Sequence, residues 1–214
     1  MKERFLRTHV LIIGAGGTGL RAAIEAQTIG AEVLVVSKEG VPSGCTTIAM
    51  GAMLAAFDRK DTASQHFEDT VRGGNGLNNQ KLVRLLADKA VERTRDLEQY
   101  GTGFEKRGED YKLFSFTGSS VPRGVAALEP YRGGYIEGLV DEVKRLGITV
   151  LERVMITDLL KENDAIVGAA GIELETDTIL IIHAKAVILA TGGGGNLYHL
   201  TTNPPGITGD GYAL

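Results

Sequence analysis

His9-Val-Leu-Ile-Ile13, then Gly14-Ala-Gly-Gly-Thr-Gly19, then Leu20-Arg-Ala-Ala-Ile-Glu-Ala-Gln-Thr-Ile29 is the stretch that decides the fold. The first run is apolar after its histidine and breaks at a glycine, which predicts a buried parallel strand. From Gly19 the apolar residues fall at helical spacing, and Gly30 stops the run. Ala31-Glu-Val-Leu-Val-Val-Ser37 predicts a second buried strand. Together they make a βαβ unit of about thirty residues, the length such a unit needs. Its glycines fit G-x-G-x-x-G between strand and helix, the context in which that pattern binds dinucleotides. Gly14 allows the tight turn, Gly16 lets backbone approach a pyrophosphate, and Gly19 lets helix pack on strand. The turn residues Ala15, Gly17 and Thr18 then sit at the positive end of the helix dipole, beside its free N–H groups. The pattern alone does not separate NAD from FAD.

Working outward, Lys38–Ala56 is rich in small residues without periodicity and reads as an irregular, ligand-facing segment. Helices are predicted over Thr62–Arg72, over Gln80–Tyr100 with its apolar positions at Leu82, Leu85, Leu86, Ala90 and Leu97, and over Tyr131–Arg145. Gly103–Ala126 reads as loop with short strands. Ile148–Glu152, Met155–Lys161, Ala165–Leu174 and Thr178–His183 read as an antiparallel meander, with hairpin turns at Asn163-Asp164 and Thr176-Asp177. Ala186–Ala190 is a further buried strand, ended by the glycines of Thr191–Gly195. The fold class is therefore α/β: a parallel sheet, flanking helices and an antiparallel β-meander, expected as one domain over 1–214. Gly209-Asp-Gly-Tyr-Ala-Leu214 reads as a helix just begun, and the expectation is a chain that belongs to something longer.

Composition narrows the function classes. The chain has 214 residues, 43% of them apolar and 23% charged, as in an ordinary soluble protein. Its 29 glycines are about twice the usual share and cluster in turns, as close backbone–ligand approach requires. A net charge of −4 offers no footprint for nucleic acid, and no apolar run is long enough to insert in a membrane. The single cysteine, Cys45, excludes an internal disulfide and a cysteine-based metal site. His9, His66, His183 and His199 have no partner at ligand spacing, so no metal site is expected and the four read as structural or solvated. The acid pairs Glu109/Asp110 and Glu173/Glu175 read as solvated. With no secretion signal, the localisation expected is cytoplasmic.

The end of the second strand should carry an acid for the adenosine ribose, and instead carries Ser37-Lys38. A serine hydroxyl can bond a ribose. Lys38 reads either as a partner for an NADP 2′-phosphate or as a solvated strand-end lysine, and Glu39 is a weaker ribose candidate. Ala190-Thr-Gly-Gly193 and Thr208-Gly-Asp-Gly211 would let backbone pass beside one elongated ligand. Asp210 reads either as a helix cap or as a ligand contact.

At this point the residues resemble a family: the flavoprotein subunits of succinate dehydrogenase and fumarate reductase, with L-aspartate oxidase as a close relative. The resemblance runs through GAGGTGLRAA, Ser37-Lys38, Ser43–Met53, ILATGGGGNLY and TTNPPGITGDG, essentially the whole chain. It implies a Rossmann-like FAD-binding domain of the glutathione-reductase type, with a capping domain and C-terminal part beyond it. By the same resemblance Gly14–Gly19 hold the pyrophosphate, Ser37 and Lys38 the adenosine side, and Val154–Met155 lie by the adenine. Ser43, Gly44, Cys45, Thr46, Thr47, Gly51 and Ala52 would run along the flavin, and Ala190, Thr191, Gly192 and Asp210 would touch FAD. In the respiratory enzymes a histidine of this segment is bonded to the flavin; here Cys45 stands in its place, and Met50-Gly51-Ala52 replaces Gln-Gly-Gly. FAD is therefore expected to be non-covalent, with Cys45 a small contact and a thioether to it the less favoured reading. The activity implied is hydride transfer to or from flavin N5 with a small dicarboxylate substrate, in company with an iron–sulfur subunit, peripheral to a membrane. The substrate-holding arginines of the family lie past Leu214, so no catalytic residue is assigned; Arg123 and Arg132 read as solvated or as packing near the flavin. An L-aspartate-oxidase-like enzyme, an NAD(P)-binding domain and a non-catalytic nucleotide-binding module are the alternatives.

Overall fold

The computed structural model describes residues 2–49, 51–129 and 134–214. In chain order the elements are β1 (Glu3–Ile13), α1 (Gly17–Thr28), β2 (Val33–Val36), β3 (Met53–Leu54), α2 (Ala63–Gly73) and α3 (Gln80–Gln99). Next come the short strands β4 (Lys106–Arg107), β5 (Asp110–Tyr111), β6 (Leu113–Phe114) and β7 (Gly124–Val125), then α4 (Gly134–Arg145). The chain closes with β8 (Thr149–Leu151), β9 (Val154–Glu162), β10 (Ala165–Glu173) and β11 (Thr178–Leu189). Two compact units form, one from residues 1–48 and 139–214, the other from 49–138.

The first unit is built on a six-stranded sheet of order β8-β2-β1-β11-β10-β9. The strands β8, β2, β1 and β11 run parallel, and β10 and β9 continue the same sheet antiparallel. All four residues of β2, Val33-Leu-Val-Val36, are buried, as a central parallel strand covered on both faces should be. Leu20, Ala23 and Ile24 turn the apolar face of α1 inward. Leu11, Ile13, Leu34, Val36, Leu180 and Ile182 share one core with Val154 and Ile156, each worth about 1.5–3 kcal/mol on burial.

The α/β class and the opening βαβ unit are present, with three differences from the expected elements. First, β1 begins at Glu3, because its charged first half pairs along β11 from Glu3↔Ile179 onward while its side chains stay mostly exposed. Second, Thr178–His183 and Ala186–Ala190 are not two strands: Ala184 and Ala186 carry the ladder across against Thr8 and Val10, giving one strand, β11. Third, the residues expected to open the meander form β8, which pairs parallel with β2 at the opposite edge. The meander is thus β9-β10-β11, turning at Asn163-Asp164, both at positive φ, and at Asp177.

The second unit carries α2, α3 and the small sheet β3-β7-β6, with a core of Phe104, Val125, Ala127 and Tyr135. Thr62 caps α2 by accepting from the Gln65 N–H, and Asn79 caps α3 by accepting from Lys81 and Leu82. The buried stripe of α3 is Val83, Ala87, Ala90 and Thr94, so Leu82, Leu85 and Leu86 point out instead of in. Tyr131, Arg132 and Gly133, expected to begin the fourth helix, lie outside the described residues, as does Met50. Arg123 is not solvated: it is 1% exposed, held by Asp61 and Asp69. Among the described residues no helix is long and apolar enough to cross a membrane.

Candidate cofactor cleft

At the C-terminal end of the parallel strands of the first unit a cleft of about 420 Å³ opens along the glycine turn. The space outside the carboxyl ends of the strands is where an open α/β sheet binds its ligand. The floor of the cleft is set by glycines that no other residue could replace. Gly14 has φ +113°, and a Cβ there would sit 2.2 Å from the Ala190 carbonyl oxygen. A Cβ on Gly19 would sit 1.9 Å from the Gly14 carbonyl oxygen, so helix and turn touch through bare backbone. Gly14 N–H donates to Val36 at 2.8 Å and Ala190 N–H to Ile13 at 2.8 Å, which ties the ends of β1, β2 and β11 together under the cleft.

Gly16 is different. It is the N-cap of α1, has extended backbone and no side-chain cap, and a Cβ there would meet nothing closer than the Ser43 carbonyl at 3.5 Å. The start of α1 therefore presents bare backbone N–H groups to the cleft, the arrangement that receives an anionic phosphate. Gly17 N–H reaches the Thr46 hydroxyl at 3.3 Å, which draws the Ser43–Thr46 segment over the turn. These features fit a pyrophosphate-bearing dinucleotide.

Gly14–Thr18, Ser37, Lys38, Ser43–Thr46, Ala190–Gly192 and Asp210 all line the cleft, so the structure brings most of the expected site together. Ser37 is buried, its hydroxyl 3.4 Å from that of Ser43, and its carbonyl accepts from Val154 N–H at 2.8 Å. That bond sets Val154 and Met155 on the cleft wall. Cys45 is exposed and its thiol donates to the Asn203 side-chain oxygen at 3.4 Å. Four expected residues do not line the cleft. Gly19 is packed inside the turn, and the Thr47 hydroxyl is spent on the Gly44 carbonyl at 2.8 Å. Gly51 and Ala52 belong to the second unit, where the Gly51 carbonyl accepts from the Tyr135 hydroxyl at 2.6 Å.

Lys38 lines the cleft and is ion-paired within the chain, a contact that neither of its two sequence readings included. Its ammonium donates to Asp210 Oδ2 and to Thr208 Oγ1, both at 2.5 Å, and Thr208 in turn donates to Asp210 Oδ1 at 2.7 Å. Burial works against the charged form of Asp210, but the bonds from Lys38 and Thr208 and the Lys38 charge outweigh it and hold the carboxyl below its ordinary range. Asp210–Tyr212 form a 3-10 turn in the segment read as the start of a helix. Gly206 and Ile207, which the sequence did not single out, also line the cleft; a Cβ on Gly206 would fall 2.3 Å from the Glu39 carboxylate. The only signal for them was their place in TTNPPGITGDG.

The strand–glycine–helix unit and the cleft along it define a dinucleotide-binding α/β protein. Residues 9–214 match the family model described as FAD binding domain, and the chain belongs to that family of FAD-dependent oxidoreductases; its cofactor is FAD. It is 37% identical to a subunit of the fumarate reductase (CoM/CoB) of Methanothermobacter marburgensis, over 100% of this chain and 40% of that protein. It is 35% identical to the L-aspartate oxidase of Streptomyces coelicolor, over 98% of this chain and 37% of that one. The structure of Mycobacterium smegmatis Sdh1 in complex with UQ1 superposes with a TM-score of 0.93 at 35% identity, covering 99% of this chain and 38% of that chain. The chain thus spans about 40% of the length of the curated relatives it matches.

Proposed function

We propose that residues 1–214 are the FAD-binding portion of an oxidoreductase that interconverts a small dicarboxylate such as succinate or fumarate, with FAD held non-covalently. The observation that carries this reading is the cleft itself, lined together by the N-terminus of α1 with Gly16 as its cap, by bare glycine backbone and by the Ser43–Thr46 segment. Bound there, FAD would supply two-electron chemistry at N5. This chain's part is to hold the pyrophosphate on Gly14–Thr18 and to orient the ligand between Ala190–Gly192 and Val154–Met155. The dicarboxylate class is supported by the relatives, which include L-aspartate oxidases and one subunit of a fumarate reductase. An L-aspartate substrate is the second reading, favoured by Cys45 at the position of the flavin-linking histidine. An electron partner in the form of an iron–sulfur subunit, with a peripheral place at the cytoplasmic face of a membrane, completes the proposal.

Non-covalent attachment has a direct check. Acid precipitation of the flavin-loaded protein is expected to leave the yellow colour in the supernatant. Flavin fluorescence in the pellet, lost on Cys45→Ser, would overturn it and make Cys45 the attachment point.

Among the described residues that line the cleft Lys38 is the one cation, and its charge is matched by Asp210. A dicarboxylate must be fixed against the flavin by cationic groups, and positioning of that kind supplies about 7–11 kcal/mol in favourable cases. The 214-residue chain with excess FAD is therefore expected to give no turnover of succinate, fumarate or L-aspartate in dye-coupled and peroxide assays. Turnover above free flavin would place the substrate-holding cations within this chain. The substrate class is tested on the gene product at the length of its relatives, where neither fumarate-dependent flavin reoxidation nor aspartate-dependent peroxide would refute it.

A further inference from the structure

We infer that Lys38 is a positioning residue: it latches the end of β2 to the Gly206–Tyr212 segment and keeps Asp210 neutralised beside the ligand. This rests on the FAD reading of the cleft. Three observations meet here. Lys38 follows directly on Ser37, whose backbone is pinned on both sides, accepting from Val154 at 2.8 Å and donating to Leu151 at 2.8 Å. The lysine therefore projects from a fixed strand end. Its ammonium then reaches 172 positions along the chain to Asp210 and also takes Thr208, both at 2.5 Å. Asp210 accepts at both oxygens, and its neighbour Gly209, in the left-handed region at φ +78°, turns the segment back with its N–H on Gly193 at 3.1 Å. One cation thus joins the β2 end of the cleft to the loop that walls it near Gly192 and Gly193.

The charge balance gives the latch its consequence for binding. The titratable side chains lining the cleft, among the described residues, are Lys38, Glu39, Cys45 and Asp210. FAD brings a doubly anionic pyrophosphate. With Lys38 in place, Asp210 is internally matched and does not repel it. Without Lys38, two carboxylates face two phosphates in a confined space.

The test is a double-substitution cycle read by FAD fluorescence quenching, with Lys38→Met, Asp210→Asn and the pair together. Lys38→Met is expected to raise the FAD dissociation constant roughly tenfold. Adding Asp210→Asn to it should cause no further loss, because the carboxylate that lost its partner is gone. A double variant weaker than Lys38→Met alone would overturn the proposal and make the two residues independent ligand contacts. Lys38→Arg, which restores a donor and a charge, should recover most of the affinity; recovery no better than with methionine would also count against the latch. The same cycle read by thermal melting without flavin stands apart from the cofactor. There each single variant should lower Tm, and the double variant should melt no lower than the less stable single. Additive losses would overturn the latch, whereas a wild-type chain that takes up no FAD would refute the cofactor reading and leave this melting result standing.

Discussion

Replacing Gly16 by valine is expected to give a folded protein that no longer retains FAD. The other glycines of the turn cannot separate binding from folding. Gly14 sits at φ +113° with the Ala190 carbonyl 2.2 Å from any Cβ, and Gly19 would drive a Cβ to 1.9 Å from Gly14. Substitution at either pushes backbone against backbone and damages the sheet itself. Gly16 has φ −80° and ψ −177°, extended backbone that any residue adopts. Its Cβ would stand 3.5 Å from the Ser43 carbonyl, an ordinary contact, and the residue lines the cleft. The valine methyls would fill the space through which a pyrophosphate must approach the N-terminus of α1. Overpacking of this kind costs about 1–3 kcal/mol, roughly five- to 150-fold in Kd. Flavin content after purification and a quenching titration measure it, with the melting temperature of the flavin-free protein as the control for folding. A Gly16→Val protein that keeps its flavin and its Tm would remove the pyrophosphate from the Gly14–Gly19 turn.

What made the cleft legible is that its demands fall on neighbouring residues. The turn between β1 and α1 needs particular glycines at particular spacing, so Gly14, Gly16 and Gly19 carry their geometry in the sequence. The same holds for Asn163-Asp164, where both residues accept positive φ and the hairpin follows. What failed depended on partners far away in the chain. The first half of β1 is charged, and only its ladder with β11, some 176 positions on, makes it a strand. β8 looked like the start of the meander because its neighbours in sequence are β9 and β10; its actual partner is Val35 and its flanks in β2. In α3 the leucines at 82, 85 and 86 outrank Val83, Ala87 and Thr94 in hydrophobicity. The face that is buried is nonetheless the one with the smaller side chains. Lys38 and Asp210 were each singled out, and each had two readings, because an ion pair between them has no local signature at all.

Arg123 is the clearest case of a residue whose role lies wholly in distant partners, and its loss should be the most costly single change in the second unit. The side chain is buried, and its Nη2 lies 3.0 Å from Asp61 Oδ1 and 2.9 Å from Asp69 Oδ2. Asp69 also accepts from the Ser120 N–H at 2.8 Å and hydroxyl at 2.7 Å, and from Arg72. His66 lies among them, buried; desolvation first, and the Arg123 charge second, push its pKa down, against the smaller opposing pull of Asp61 and Asp69. Arg123→Met keeps the stem and removes the charge, leaving the buried Asp61 carboxylate without its cation and Asp69 with Arg72 alone. Breaking a buried pair in this way costs about 3–5 kcal/mol. The sign of the acid dependence adds a second check. Burial raises the Asp69 pKa, but the Ser120, Arg72 and Arg123 contacts more than offset it and hold the carboxyl below its ordinary range. A group depressed in the folded state stabilises above its unfolded pKa, and that stability is lost as pH falls through the folded value. In Arg123→Met the folded value moves up toward the unfolded one, so less stability is left to lose in acid: the loss still begins near the unfolded pKa but is smaller and ends at higher pH than in the wild type. Chemical denaturation across the acid range measures both the loss at neutral pH and the smaller acid-dependent part. A variant within about 1 kcal/mol of the wild type, with an unmoved acid limb, would mean that Asp61 and Asp69 are satisfied without Arg123.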